Sequence, residues 1–134
     1  MIIRLAENKD FEAIIANDKW ISRETLAKKI SEKQVYVVYC GDIFAGWLRY
    51  GLFWDNTPFM NMLHLTEEYS GKGIGSQMVA FWENEMRKNE HKIVLTSSAQ
   101  TEFAQHFYVK LGYKAIGSFS IANEPLEIIF EKTL

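Results

Sequence analysis

Ser70-Gly71-Lys72-Gly73-Ile74-Gly75-Ser76 decides how this chain is read. Glycines at 71, 73 and 75 give the backbone access to positive φ and to close approach, so that successive N–H groups can converge on an anion. Downstream, Ile74, Met78, Phe81, Trp82 and Met86 recur at the three-and-four spacing of one helix face. Upstream, Phe59 to Leu65 reads as a strand. A strand, a glycine loop and a helix in this order aim the positive end of the helix dipole at whatever the loop holds. The functional reading is a phosphate site, to which Lys72 adds charge. The bland alternative is a tight turn ahead of a helix. Two well-known phosphate loops are excluded by spelling. A Walker A loop needs four residues between its first glycine and a Gly-Lys-Ser/Thr ending, and a dinucleotide fingerprint needs its third glycine one residue later.

Working outward, Ile2 to Leu5 is a short strand candidate, and Asp10 is placed to cap a helix carrying Phe11, Ile14 and Ile15. Ser22 starts a second helix through Thr25, Leu26 and Ile30. The β-branched and aromatic run Gln34 to Cys40 predicts a strand. Gly41-Asp42 turns it into a second, Ile43 to Tyr50, making a hairpin. Phe53 to Pro58 reads as a loop. Beyond the glycine loop, Ile93-Val94-Leu95 is a short apolar strand, and Ala104, Phe107, Tyr108 and Leu111 repeat the helical period before Gly112 ends it. Tyr113 to Ser120 and Leu126 to Glu131 close the chain as a hairpin. Hairpins give antiparallel neighbours and helical crossovers parallel ones, so the expected class is α/β, a mixed central sheet of about six to seven strands with helices on both faces. Residues 1–134 read as one domain.

Composition narrows the partners. A chain of 134 residues with 48% hydrophobic content can bury a core, and a formal net charge of −2 gives no global field for nucleic acid. The lone Cys40 excludes an internal disulfide framework and a multi-cysteine metal site; no metal is expected. It reads as a small core residue. No run approaches the roughly 18 apolar residues of a membrane span, and the start is not a signal peptide. A cytoplasmic protein is the expectation.

The segment Glu67-Glu68-Tyr69-Ser70-Gly71-Lys72-Gly73-Ile74-Gly75-Ser76 resembles the acetyl-CoA pyrophosphate loop of the GNAT N-acetyltransferases, Arg/Gln-x-x-Gly-x-Gly/Ala. A second stretch, Ala104-x-x-Phe107-Tyr108-x-Lys110-Leu111-Gly112-Tyr113, is similar to that family's later Asn-x-x-Ala-x-x-Phe-Tyr-x-Lys-x-Gly-Phe motif. The order of elements agrees along the whole chain, so the resemblance implies the acyl-CoA N-acyltransferase fold. There are two departures. Ser70 stands where Arg or Gln is usual, leaving the phosphates to backbone amides. Thr101 stands where Asn is usual; it can still cap the following helix.

The resemblance implies acetyl-CoA as cosubstrate, with Ser70 to Ser76 at the pyrophosphate and Leu63, Leu65, Thr101, Phe107 and Lys110 along the rest of the cofactor. A backbone N–H near Leu63, His64 and Leu65 would polarise the thioester carbonyl. Tyr108 matches the family's frequent acid for the leaving thiolate, with an aromatic packing residue as the alternative reading. His64 is the candidate base because an imidazole titrates in the right range. Strand alternation puts it opposite Asn61, the usual base position, so a packed histidine or a water chain stays open. The acceptor side offers Trp20, Trp54 and Asp55, an aromatic-and-carboxylate set suited to a cationic amine. The expected activity is acetyl transfer to a primary amine of a small molecule or peptide by direct attack. The alternative is a catalytically weak acyl-CoA sensor of the same fold. Members of this family frequently dimerise by edge strands, which makes a homodimer an expectation.

Overall fold

A computed structural model describes residues Met1–Leu134. Its strands are β1 (Ile2–Leu5), β2 (Val35–Cys40), β3 (Ile43–Phe53), β4 (Thr57–Leu65), β5 (Ile93–Ala99), β6 (Lys114–Phe119) and β7 (Glu127–Thr133). Its helices are α1 (Phe11–Asn17), α2 (Arg23–Ser31), α3 (Ile74–Lys88) and α4 (Ala104–Lys110). The strands form one seven-stranded mixed sheet in the order β1-β2-β3-β4-β5-β7-β6. No helix is long and apolar enough to cross a membrane. The chain divides into two compact units, Met1–Tyr50 with Met62–Trp82, and Gly51–Asn61 with Glu83–Leu134.

In the first unit β2 pairs antiparallel with both β1 and β3. Its alternation places helices on both faces. Val35 and Val37 join Ile14, Leu26, Ile30 and Trp47 in a buried cluster under α1 and α2. Tyr36 points the other way and meets Phe81 of α3 edge-on, with ring centres 5.6 Å apart. Ser22 caps α2 by accepting from the Thr25 N–H at 3.1 Å. Asp10 does not cap α1 as its position suggested. Its carboxylate takes the Glu7 N–H at 2.7 Å and a paired contact from Arg4, satisfying the preceding 3₁₀ turn instead. Asp18 ends α1 and is buried, accepting from Arg49 Nε at 2.7 Å and Trp47 Nε1 at 3.1 Å. Cys40 is half-buried at the end of β2 rather than in the core.

In the second unit the predicted loop from Phe53 to Pro58 is tighter than expected. Trp54 and Asp55 take φ of +57° and +64°, Asn56 N–H bonds Phe53 C=O at 3.2 Å, and β4 has already begun at Thr57, so Pro58 lies in a strand. β4 runs parallel to β5 through Phe59↔Leu95 and Met60↔Thr96. β7 pairs antiparallel with β5 and with β6. Gly112, at φ +94°, closes α4 as expected: its N–H bonds Val109 C=O, and Tyr113 N–H bonds Tyr108 C=O, both at 3.0 Å. Tyr113 then donates to buried Glu83 at 2.8 Å, which also holds Lys132 at 2.9 Å.

Candidate active site

The glycine loop belongs to the first unit. A 3₁₀ turn, Glu67–Tyr69, follows β4, and the chain then passes Gly71 at φ +71° and Gly73 at φ +84° into α3. No heavy atom lies within 4 Å of where a Cβ would stand on either glycine, so the space above them is open and a side chain would occupy it. The first helical bond runs from Gln77 N–H to Gly73 C=O at 3.3 Å. The N–H groups of Ile74, Gly75 and Ser76 therefore precede the helical ladder and are free to hold an anion. Side chains add little here. Ser70 Oγ donates back to Glu67 C=O at 3.0 Å, and the Lys72 ammonium lies 5.7 Å from the centre of the Tyr69 ring. What this turn presents to an anion is therefore backbone N–H rather than side chain.

On the strand leading to this loop, Leu63 and Leu65 are half-buried and His64 is exposed. The His64 ring packs 5.0 Å from that of buried Trp47. Gly46 of β3 lies directly beneath: a Cβ there would overlap His64 C=O and come within 2.9 Å of Leu65 Cδ1. A glycine is needed for β3 and β4 to approach so closely.

Tyr108 belongs to the second unit and is buried, its ring 5.6 Å from Tyr113 and 6.1 Å from Phe130. Burial pushes its phenol above the ordinary tyrosine value, and hydrogen bonding with Thr96 offsets only part of that. Thr96 Oγ donates in turn to Met60 C=O at 3.0 Å. Phe107 is half-buried against Tyr108, and Lys110 is exposed in the last turn. Thr101 does not cap α4. It lies in a preceding turn, and Phe103 holds the N-cap position without a side-chain bond.

Strand register shows what occupies the other face of this unit. Thr96 pairs with Phe130, so both face α4; Met60 pairs with Thr96 and shares that face. Alternation then puts Phe59, Asn61, Ser97 and Glu127 on the opposite face, with Phe119 paired to Glu127. Two cavities open there. One, of about 400 Å³, is lined by Phe59, Ser97, Phe119, Ile121, Glu124 and Glu127 among others. The second, of about 310 Å³, shares Phe59, Asn61 and Phe119 and adds Leu52 and Phe53. Trp54, 79% exposed, packs against Phe53 with ring centres 4.8 Å apart and planes tilted by 38°, and Asp55 is beside it at the turn. Trp20, 81% exposed, follows Asp18 in the first unit.

The model of the acetyltransferase (GNAT) domain matches residues 31–115, more than half of the chain. The chain belongs to the GNAT family. Solved structures share the fold of this GNAT domain at low sequence identity. Ard1 from Thermoplasma volcanium superposes with a TM-score of 0.85 at 13% identity, over 99% of this chain and 97% of that one. The PaiA N-acetyltransferase of Thermoplasma acidophilum, solved in complex with coenzyme A, gives 0.84 at 20% identity over 99% and 98%. The ribosomal-protein-S18-alanine N-acetyltransferase of Escherichia coli gives 0.81 at 14% identity over 98% and 92%. No curated protein matches the sequence significantly.

Within this GNAT domain, the residues from Ser70 to Ser76 form one continuous turn into α3, and Tyr108, Phe107 and Thr96 form one packed group. Sequence reasoning did not find Thr96, Ser97, Phe119 or Glu127. The one signal available was alternation in the closing hairpin, where Phe119 and Glu127 fall on one face only once the register is known.

Proposed function

We propose that this chain transfers an acetyl group from acetyl-CoA to a primary amine by direct attack. The observation that carries the reading is the open backbone cradle at Gly71 and Gly73, set at the start of a 15-residue helix in a chain of this family. Main-chain N–H groups of Ile74 to Ser76 hold the pyrophosphate. The β4 edge at Leu63 to Leu65 takes the pantetheine arm by backbone pairing, a role supported by the shortness of the parallel register with β5. A main-chain N–H there stabilises the oxyanion as the amine nitrogen bonds to the thioester carbon. When the C–S bond breaks, Tyr108 gives its proton to the sulfur, and the amine's surplus proton leaves through His64 or water. Phe107, Lys110 and Thr101 flank the cofactor; Trp20, Trp54 and Asp55 serve the acceptor side.

Ser70 folded back on Glu67 favours a second reading, binding without turnover. Free-thiol release from acetyl-CoA over a panel of amines decides between them. Release that requires an amine and collapses in Tyr108→Phe supports transfer. Stabilisation of the melt by acetyl-CoA, with no amine-dependent release, supports the sensor. Absence of both overturns the functional reading.

A further inference from the structure

The two cavities on the sheet face opposite Tyr108 say what kind of amine is acetylated. They share Phe59, Asn61 and Phe119, so they form one groove, each part within the range of small-ligand sites at about 400 and 310 Å³. The only charged groups lining it are carboxylates, Glu124 and Glu127; no Lys or Arg lines either part. Glu127 is half-buried and pinned, its Oε2 accepting from Ser97 Oγ at 2.7 Å. Glu124 is set by a turn in which Ala122 and Asn123 take φ of +53° and +62° and Glu124 N–H bonds Ile121 C=O at 2.9 Å. A non-glycine residue is strained in that region, so the turn is held by its surroundings. Apart from Asn61 and Ser97, the side chains in the rest of the groove are chiefly apolar: Phe53 and Phe59, with ring centres 6.2 Å apart, then Phe119 and Ile121.

We infer that the acceptor is a monoamine joined by a short chain to an aromatic or branched aliphatic group, with no carboxylate beside the nitrogen. Glu127 and Glu124 attract the ammonium, and the phenylalanines take the apolar group. A free amino acid would bring its own carboxylate against these two, and a polyamine would bury a second charge among the rings; both are disfavoured. This inference rests on the acetyl-transfer reading. It also explains a division of faces: the amine comes from one side of the β4–β5 pair, and Tyr108 waits for the sulfur on the other.

The test uses the full chain with acetyl-CoA and four amines: 2-phenylethylamine, a leucyl-alanine amide, spermidine and free phenylalanine. The expected kcat/KM for each of the first two is at least about tenfold above the last two. Whichever of the first two leads identifies the source of the amine, a small molecule or a peptide N-terminus. Glu127→Gln keeps an oxygen for Ser97 and is expected to raise KM for 2-phenylethylamine about tenfold or more while kcat changes far less. Glu124→Gln, in an exposed turn, is expected to act in the same direction and serves if the first variant fails to fold. Phe119→Ala is expected to raise KM for 2-phenylethylamine but not for ethylamine. Acetyl transfer that favours spermidine or free phenylalanine, or that is indifferent to both glutamates, overturns the groove and leaves the transferase intact. A melt raised by 2-phenylethylamine alone and lost in Glu127→Gln, with no transfer to any amine, supports the groove and overturns the transferase.

Discussion

Replacing Gly73 by alanine separates backbone strain from cofactor binding. The space above Gly73 is open, so an added methyl meets nothing in the free protein. What it meets is its own backbone: at φ +84° an L-residue is strained by about 1–2 kcal/mol. For a chain of this size that corresponds to a fall in Tm of roughly 3–10 °C. The same methyl stands where an anion must approach the N–H groups of the first turn of α3. Losing one or two charge-assisted hydrogen bonds, each about 1.5–3 kcal/mol, weakens binding about a hundredfold. At acetyl-CoA a hundred times the wild-type Kd, the wild type gains about 2.7 kcal/mol, and a variant binding a hundredfold more weakly gains only about 0.4 kcal/mol. Differential scanning fluorimetry with and without acetyl-CoA therefore reads a ligand shift of roughly 8–13 °C collapsing to 1–2 °C. Gly112→Ala is the control, since Gly112 sits at φ +94° in the cap of α4 with only ordinary contacts to Lys132. It should lower Tm similarly and keep the whole ligand shift. A Gly73→Ala protein that melts lower but still gains the full shift would refute the cradle.

Gly46→Ala should destabilise the free protein by about 1–3 kcal/mol, visible in urea unfolding, because the new methyl overlaps the His64 carbonyl and the strands must part. Unchanged stability would show that β3 and β4 can separate without cost. Asp18→Asn leaves Arg49 buried without its counter-charge, an expected loss of about 3–5 kcal/mol, read as a shift in the denaturation midpoint at constant slope. Burial by itself would raise the Asp18 and Asp10 carboxyls. The bonds from Arg49, the Trp20 amide and Trp47 in one case, and from Arg4, the Glu7 amide and Tyr39 in the other, outweigh it and hold both below the usual range. A depressed folded pKa gives stability that is complete above the unfolded value of about 3.9 and fades as pH falls below it. Melts should accordingly drop as pH falls below about 4, less steeply in either Asp→Asn variant. Tyr108→Phe should lower kcat by about 10²–10⁴-fold while keeping the acetyl-CoA melt shift. With the phenol held above its ordinary value, the wild-type kcat should show no alkaline decline before about pH 10; a decline near pH 8 would assign the acid to another group.

The proposed cofactor side was legible in the sequence because it is local. Seven consecutive residues carry the glycines, the turn and the helix start, and the 3.6-residue period of Ile74, Met78, Phe81, Trp82 and Met86 sets the face of α3 without reference to any other element. The second motif was legible for the same reason, since Gly112 ends α4 and brings Tyr113 back onto Tyr108 within one turn. Where single residues were misplaced, a non-local partner had won. Asp10 had the right type and position to cap α1, yet Arg4 and Tyr39 drew its carboxylate to β1 and β2. Thr101 was offset because the turn before α4 runs two residues further than the motif spacing suggests.

The proposed acceptor groove is non-local in every part. Phe59, Ser97, Phe119 and Glu127 come from four different strands, and which face each takes is a matter of parity within a register that no short window contains. A one-residue slip of β7 against β5 would send Glu127 to the side of Tyr108 and Phe130 to the groove. What prevents the slip is the buried pair of Phe130 and Tyr108, together with Lys132 reaching Glu83 on the same face. Packing on the Tyr108 face thus fixes the chemistry of the opposite one. The same core that buries the proposed acid also sets Glu127 where an ammonium group would need it, so acceptor preference should change with core substitutions that shift β7, even those that never touch the groove.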